Sequence, residues 1–333
     1  MPMKKHKIIF ISGRFRSGTT MLWNIFNNLP QYMAWYEPLH TNLISQIEYV
    51  KPKEDHIGVY DYWKNYRHLE NLKKYHSHKF GQDRLFMEKH ENWTELEEYI
   101  SYLIKNSEDK IPVLQFNRMD LRLSWLKNNF PNSIIINIQR HPYPQWISCR
   151  KHIKNEILKN KESYEDAYDL MQWAVDLSEK FPMLQKSGSR NGYFRHYFIW
   201  KLSQSVADSH ADLKLKLEED FFDSHNGIEK LSSLLNWESE DIQIAEKLIH
   251  KPESVQTKTE IPDSFIEIEN KVDKMFNKLG LSKQFPSSNL ESIKQDFSKE
   301  WSEYSFDSSI CKNELLDAIK SMNDRLTEIQ SNR

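Results

Sequence analysis

Residues Lys7–Trp23 read KIIFISGRFRSGTTMLW. Lys7–Ser12 is a near-continuous apolar run, the pattern of a strand covered on both faces. Gly13 follows at once, and Gly18 stands five positions on, where a helical pattern over Thr19–Asn28 begins. The chain has only eight glycines, so two of them in one short turn require a reason. Glycine lets backbone N–H groups turn inward around an anion with no side chain in the way. A helix starting near Gly18 adds its unpaired N–H groups and the positive end of its dipole. Arg16 and the hydroxyls of Ser17, Thr19 and Thr20 complete a cradle for a phosphate.

The Gly13–Gly18 spacing is that of a P-loop, but the continuation differs. A triphosphate loop continues Gly-Lys-[Ser/Thr], with the Lys on the β/γ-phosphates and the hydroxyl on Mg²⁺. Here Gly18 is followed by Thr19-Thr20. The cation sits inside the loop, at Arg16, with Arg14 as a second candidate. A single 5′-phosphate ester or mixed anhydride suits this loop better than a metal-bound polyphosphate, because fewer charges need neutralising. The competing reading is a plain strand-to-helix turn with exposed arginines.

The rest of the chain bounds the answer. At 333 residues and 38% hydrophobic, it can bury one large core or two modest ones. A net charge of −2 argues against a basic nucleic-acid protein and leaves room only for a local basic groove. Cys149 and Cys311 are the two cysteines, far apart, so a reducing compartment is expected rather than a disulfide framework. The start MPMKKHKIIFIS is basic then apolar, yet Ile8–Ser12 is too short for the apolar region of a signal peptide. No stretch approaches the ~20 apolar residues of a membrane span. These features predict a soluble cytoplasmic protein.

Further strands are predicted at Pro112–Phe116, Ser133–Gln139 and Asp212–Leu217, with Tyr32–Tyr36 a weaker candidate. Helical patterns lie between them, at Trp93–Asn106, Leu121–Asn129 and Tyr143–Leu158. Strand alternating with helix predicts an α/β fold with three layers around a mostly parallel central sheet. Residues 41–110 are polar, rich in Tyr, His and Lys, and read as a helical insertion over one end of the sheet. Residues 155–205 also read as helical, with YFRHYFIW at Tyr193–Trp200 either lining an acceptor groove or forming an amphipathic helix whose Phe194, Phe198 and Trp200 enter the core. A helical C-terminal extension covers about 241–333, Ser-rich beyond about Phe285 and helical again at Lys312–Gln330. No break reads as a linker, so 1–333 is expected to be one domain with its core at about 5–240.

A second motif, IIINIQRHPYPQWISCR at Ile134–Arg150, carries a buried strand into Arg140 and Pro142, with Ser148 eight positions after the arginine. A guanidinium at the carboxyl end of a strand stands where open α/β sheets bind ligands, and it can grip a phosphate dianion with two N–H groups. Pairing of Arg140 with a carboxylate at an ordinary strand-to-helix turn is the competing reading. Arg150 and His152 are spare cations nearby.

GRFRSGTTMLW resembles the 5′-phosphosulfate loop of sulfotransferases that use 3′-phosphoadenosine-5′-phosphosulfate (PAPS). Its Arg-Ser-Gly-Thr-Thr form is similar to the carbohydrate and protein-tyrosine branch. The resemblance extends over about Lys7–Leu235. It includes FNRMDLRLSWLKNNFP at Phe116–Pro131 and KLEEDFF at Lys216–Phe222, an acidic strand end. It implies Arg14, Phe15, Arg16, Ser17, Gly18, Thr19 and Thr20 as donor-binding residues, and Arg140 with Ser148 as ligands of the 3′-phosphate. It also implies sulfuryl transfer from PAPS to a hydroxyl acceptor, on a carbohydrate or another metabolite, with no metal required.

Such transfer asks a protein to place donor and acceptor in line, to stabilise charge on the leaving oxygen, and to take the acceptor proton. Glu37, in AWYEPLH (Ala34–His40), is the candidate base, returned to the mouth of the loop by the possible second strand. The resemblance places a glutamate at this point of the family, and a cation at the position of Arg16 on the leaving group. Pro38 limits the backbone freedom of Glu37. A surface Glu37 is the bland alternative, His40 is the rival base, and Arg118 is a further candidate for the site. His76, His78 and His90 lack the spacing of a metal site, and Lys51–Lys74 reads either as an acceptor lid or as a solvated face. The alternatives to a sulfotransferase are a P-loop kinase or NTPase, and a catalytically inactive nucleotide-binding module of the same fold.

Overall fold

The computed structural model describes residues 8–48, 59–150, 168, 170–181, 184, 192–224, 226–251 and 260–278. Five parallel strands form one sheet: β1 (Ile8–Ser12), β2 (Tyr32–Tyr36), β3 (Ile111–Phe116), β4 (Ser133–Gln139) and β5 (Leu213–Lys216). Their order is β2-β3-β1-β4-β5. β1 therefore lies at the centre, with the chain leaving it to either side, and its carboxyl end is the switch point where such sheets bind ligands. The register brings the strand ends level. Ser12 stands opposite both Phe116 and Asn137, Tyr36 opposite Gln115, and Gln139 opposite Lys216.

The central strands are sealed on both faces, as their unbroken apolar runs require. Ile9, Phe10, Ile11, Ile135 and Ile136 are at most 1% exposed. Phe10 packs against Phe116 and Phe130 at ring distances of 5.9 and 5.6 Å. Helices α1 (Thr19–Asn28), α2 (Thr94–Lys105), α3 (Leu123–Asn129) and α4 (Pro142–Cys149) follow the predicted order. On α2, Leu96, Tyr99, Ile100 and Leu103 form the buried face. Burying side chains of this size stabilises by about 1.5–3 kcal/mol each.

Within 59–93 the chain forms short helical turns and no strand. Tyr62, Trp63, Tyr66, Phe80 and Phe86 are buried here, while Tyr60, Lys64, Lys73 and Lys74 face solvent. Beyond α4 come α5 (Leu170–Leu177), α6 (Gly192–His210), α7 (Gly227–Leu235), α8 (Ser239–Lys247) and α9 (Asp263–Lys278). The expected helices at 151–158 and Lys312–Gln330, together with His152 and Cys311, lie outside the described residues.

Tyr193–Trp200 departs from an amphipathic helix. Phe194 and Phe198 are buried as expected, but Arg195 and His196 are buried too. α6 packs against α4, α5 and α9, so no face of its first half is left for water. One nitrogen of each polar head turns to a backbone carbonyl instead. Arg195 Nε donates to the Leu184 carbonyl at 3.2 Å, and His196 Nε2 lies 2.9 Å from the Pro142 carbonyl. No described helix is long and apolar enough to cross a membrane.

Candidate active site

The loop after β1 is a tight turn closed by the Ser17 N–H donating to the Arg14 carbonyl at 3.2 Å. Arg16 holds φ 64° and Gly18 φ 101°. Gly18 is the residue before α1, and only glycine adopts its angle without strain. At Gly13 a Cβ would lie 2.5 Å from the Ile138 carbonyl and 2.6 Å from Ser17 Oγ, so the loop closes only around a bare backbone. Ser17 is 1% exposed, and its Oγ has no hydrogen-bond partner among the described residues.

The two motifs meet here. Arg16 Nε donates to Ser148 Oγ at 3.0 Å, and Arg140 Nη1 donates to the Arg16 carbonyl at 3.4 Å. Arg140 is also paired with Glu218, Nε to Oε1 at 2.9 Å, and the carbonyl of Arg140 accepts from Trp200 Nε1 at 2.9 Å. Arg16, Arg140 and Ser148 thus form one cationic cluster at the carboxyl ends of β1 and β4.

Glu37 lies at the end of β2 with φ 38°. Holding a non-glycine residue there costs on the order of 1–3 kcal/mol, and such strain concentrates where a side chain must be aimed. Its carboxylate is 11% exposed and held at both oxygens. Asn117 Nδ2 donates to Oε1 at 2.5 Å, and Arg118 Nη1 lies 3.3 Å from Oε2. Its backbone N–H donates to Gln115 Oε1 at 3.2 Å. Asn117 also reaches the loop after β1, where its Oδ1 accepts from Thr19 Oγ1 at 2.7 Å, and it accepts from Gln115 Nε2 at 3.1 Å. A continuous path, Thr19–Asn117–Glu37, therefore links the loop to the candidate base. Thr20 Oγ1 shares a hydrogen bond with the Tyr36 hydroxyl at 3.2 Å. Burial, with Glu37 adding to it, pushes the Tyr36 phenol well above its usual range, so it stays protonated.

The other expected residues are placed as follows. The Arg14 guanidinium lies behind the loop, 3.6 Å from Asp120 and 4.1 Å above the Trp173 ring. Burial lowers its pKa and raises that of Asp120, and the pairing opposes both shifts. Phe15 is buried with Arg118 4.7 Å above its ring, and its carbonyl accepts from Gln145 Nε2 at 2.5 Å. Arg150 stacks on Trp146 at 3.1 Å. His40 is turned into its own loop, with Nδ1 accepting from the Asn42 N–H at 3.1 Å. Arg14, Phe15, Gln145, Cys149, Arg150 and His196 line a small cavity behind the loop.

Asn117 and Gln115 were not singled out from the sequence. A signal was present, because two polar residues with period-two spacing end the otherwise apolar β3. Buried amides at such positions need hydrogen-bond partners, and loops at the switch point are where those partners lie.

A parallel α/β sheet with a tight, glycine-containing loop at its switch point frames this site. The model of the sulfotransferase family matches residues 9–186, more than half of the chain, which belongs to that family. The chain is 29% identical over 150 residues to an uncharacterized protein of Archaeoglobus fulgidus. That match covers 42% of this chain and 46% of the relative, so the chain spans about half the length of the relative it matches. Among solved structures, the chain is similar to the sulfotransferase domain from the Synechococcus PCC 7002 olefin synthase. There the identity is 16%, the cover 81% of this chain and 96% of that one, and the TM-score 0.38. It is also similar to the sulfotransferase domain from the curacin biosynthetic pathway, with 15% identity, 89% and 97% cover, and a TM-score of 0.41.

Proposed function

We propose that this protein transfers a sulfuryl group from PAPS to a hydroxyl on a carbohydrate or other metabolite, with Glu37 as the base. The observation that carries the reading is the contact between Arg16 and Ser148, which joins the residues proposed for the two phosphate groups of one nucleotide. The donor set fits such a ligand. Arg16, Arg140, Ser17 and Ser148 are cations and hydroxyls, and Ser17 Oγ is buried with no hydrogen-bond partner among the described residues. PAPS supplies an activated sulfuryl group on a phosphate leaving group.

The protein's own residues do the rest. Arg16, half-buried in the loop, neutralises charge on the leaving oxygen. Ser148 and Arg140 hold the far end of the nucleotide and so fix the line of transfer. Glu37 takes the acceptor proton. Each of its oxygens keeps a lone pair beyond the bonds from Asn117 and Arg118. These two donors hold the carboxylate in one orientation, so little reorganisation is left for the reaction itself.

Thermal stabilisation tests the donor. Adenosine 3′,5′-bisphosphate at 100 times its dissociation constant adds about 2.7 kcal/mol of stability. The expected result is a clear rise in melting temperature with the bisphosphate, and a much smaller one with AMP. A rise with ATP–Mg²⁺ and none with the bisphosphate would replace this reading with a P-loop kinase or NTPase.

A further inference from the structure

Glu218 stands at the junction of β5 and a π-helical stretch, Leu217–Asp223. Its carboxylate takes both anion-attracting groups at the end of β4. Oε1 accepts from Arg140 Nε at 2.9 Å, and Oε2 lies 3.4 Å from the backbone N–H of His141, the residue that opens α4. A guanidinium together with the N–H at a helix start is the donor set that binds phosphate. Arg140 and Glu218 are only 10% and 16% exposed, so water screens the pair little. Arg140 Nη1 is directed at the Arg16 carbonyl. Both edges of the guanidinium that could grip a phosphate with two N–H groups therefore already have one nitrogen bonded to the protein.

We propose that Glu218 is a carboxylate placeholder for the nucleotide's 3′-phosphate, an inference that rests on the donor reading above. With no phosphate present, Glu218 satisfies Arg140 and the His141 N–H. A 3′-phosphate takes these donors by displacing it, and the carboxylate's return helps to release the bisphosphate product. Glu218 thus limits affinity for the 3′-phosphorylated nucleotide and leaves affinity for its unphosphorylated counterpart alone. Its neighbour Glu219 pairs outward, with Lys216 Nζ at 2.7 Å and His141 Nε2 at 3.8 Å, and serves as the control for general charge effects.

The experiment is calorimetric titration of wild type, Glu218→Gln and Glu219→Gln with adenosine 3′,5′-bisphosphate and with AMP, together with stopped-flow dissociation of the bisphosphate. Glu218→Gln keeps the shape and removes the charge. It is expected to bind the bisphosphate about tenfold tighter, through slower dissociation, with AMP affinity and Glu219→Gln unchanged. Weaker binding by Glu218→Gln would overturn the inference and make Glu218 an orienting partner of Arg140. Unchanged binding would also overturn it. Should Glu218→Gln fold poorly, Glu218→Asp draws the carboxylate back and is expected to shift affinity in the same direction. If wild type binds no bisphosphate at all, the donor reading falls and this inference with it. Binding by wild type with no gain in the variants would sink the placeholder alone.

Discussion

Arg16 Nε donates to Ser148 Oγ across 3.0 Å, joining two residues 132 positions apart in the chain. One belongs to the loop after β1 and the other to the helix after β4. The parallel pairing of β1 with β4 brings them together. Arg16→Ala removes a charge-assisted donor from the loop and a partner from Ser148. It is expected to weaken adenosine 3′,5′-bisphosphate binding about 10- to 100-fold. Ser148→Ala should cost less, because a neutral hydroxyl contributes less than a guanidinium. Equal affinities for all three proteins in a calorimetric titration would remove both residues from the site.

Glu37→Gln keeps the hydrogen bond from Asn117 in shape but cannot take a proton. Bisphosphate affinity is expected to stay within about twofold, while turnover falls by about 10²–10⁴, the usual range for a lost general base. Sulfate transfer from labelled donor is the readout. Undiminished turnover in Glu37→Gln would end its assignment as base.

Asn117 lies between Thr19 and Glu37. Asn117→Ala leaves the Thr19 hydroxyl and the Gln115 amide without their acceptor in a buried setting. A stability loss of about 1–3 kcal/mol is expected in chemical denaturation. Turnover should also fall by about tenfold at unchanged bisphosphate affinity, because the Glu37 carboxylate loses the donor that orients Oε1. A stability loss with unchanged turnover would make Asn117 purely structural.

Gly13 has no room for a side chain. Gly13→Ala places a methyl 2.5 Å from the Ile138 carbonyl, a backbone atom that cannot swing away. Destabilisation of at least about 2 kcal/mol is expected, with bisphosphate binding lost even below the melting temperature. Wild-type melting and binding would show that the loop is open where it is described as closed.

Two histidines, His196 buried and His76 half-buried, set an acid limit. Burial, aided by Arg150, holds His196 at about 3, and burial holds His76 at about 4. In the unfolded chain both titrate near ~6.5. Above that pH neither state carries the protons. Below it the unfolded chain binds protons that the folded one does not, so stability present at neutral pH is lost as pH falls toward 4. The melting temperature should drop from pH 7 to pH 5, less steeply in His76→Gln. A flat profile would show that these imidazoles are accessible to solvent.

The strands were legible in the sequence to different degrees: β1 and β4, covered on both faces, show the near-continuous apolar runs that this position requires, while the edge strand β5 alternates leucine with lysine and buries only Leu215. Tyr32–Tyr36 and Ser133–Gln139 appear with the predicted bounds, and the others within one residue over the described range. The glycine spacing of the loop was equally plain, since it encodes a backbone requirement that no other residue meets. The helix at Gly192–His210 was read only in part. Periodicity assumes that polar heads seek water, and Arg195 and His196 found carbonyls instead.

The sequence by itself determined the strands of the sheet, the glycine turn after β1 and the kinds of residue placed around it, because these follow from local pattern and backbone sterics. The partners of those residues were decided by the tertiary structure alone. Glu37 is held by Asn117 and Arg118, about 80 positions away; Arg140 is met by Glu218, 78 positions away; and Arg14 is turned from the loop toward Asp120 and Trp173. Charged and amide groups take whichever complementary group the packing brings within about 3 Å. That choice depends on how the strands order themselves in space, which no local stretch of chain records.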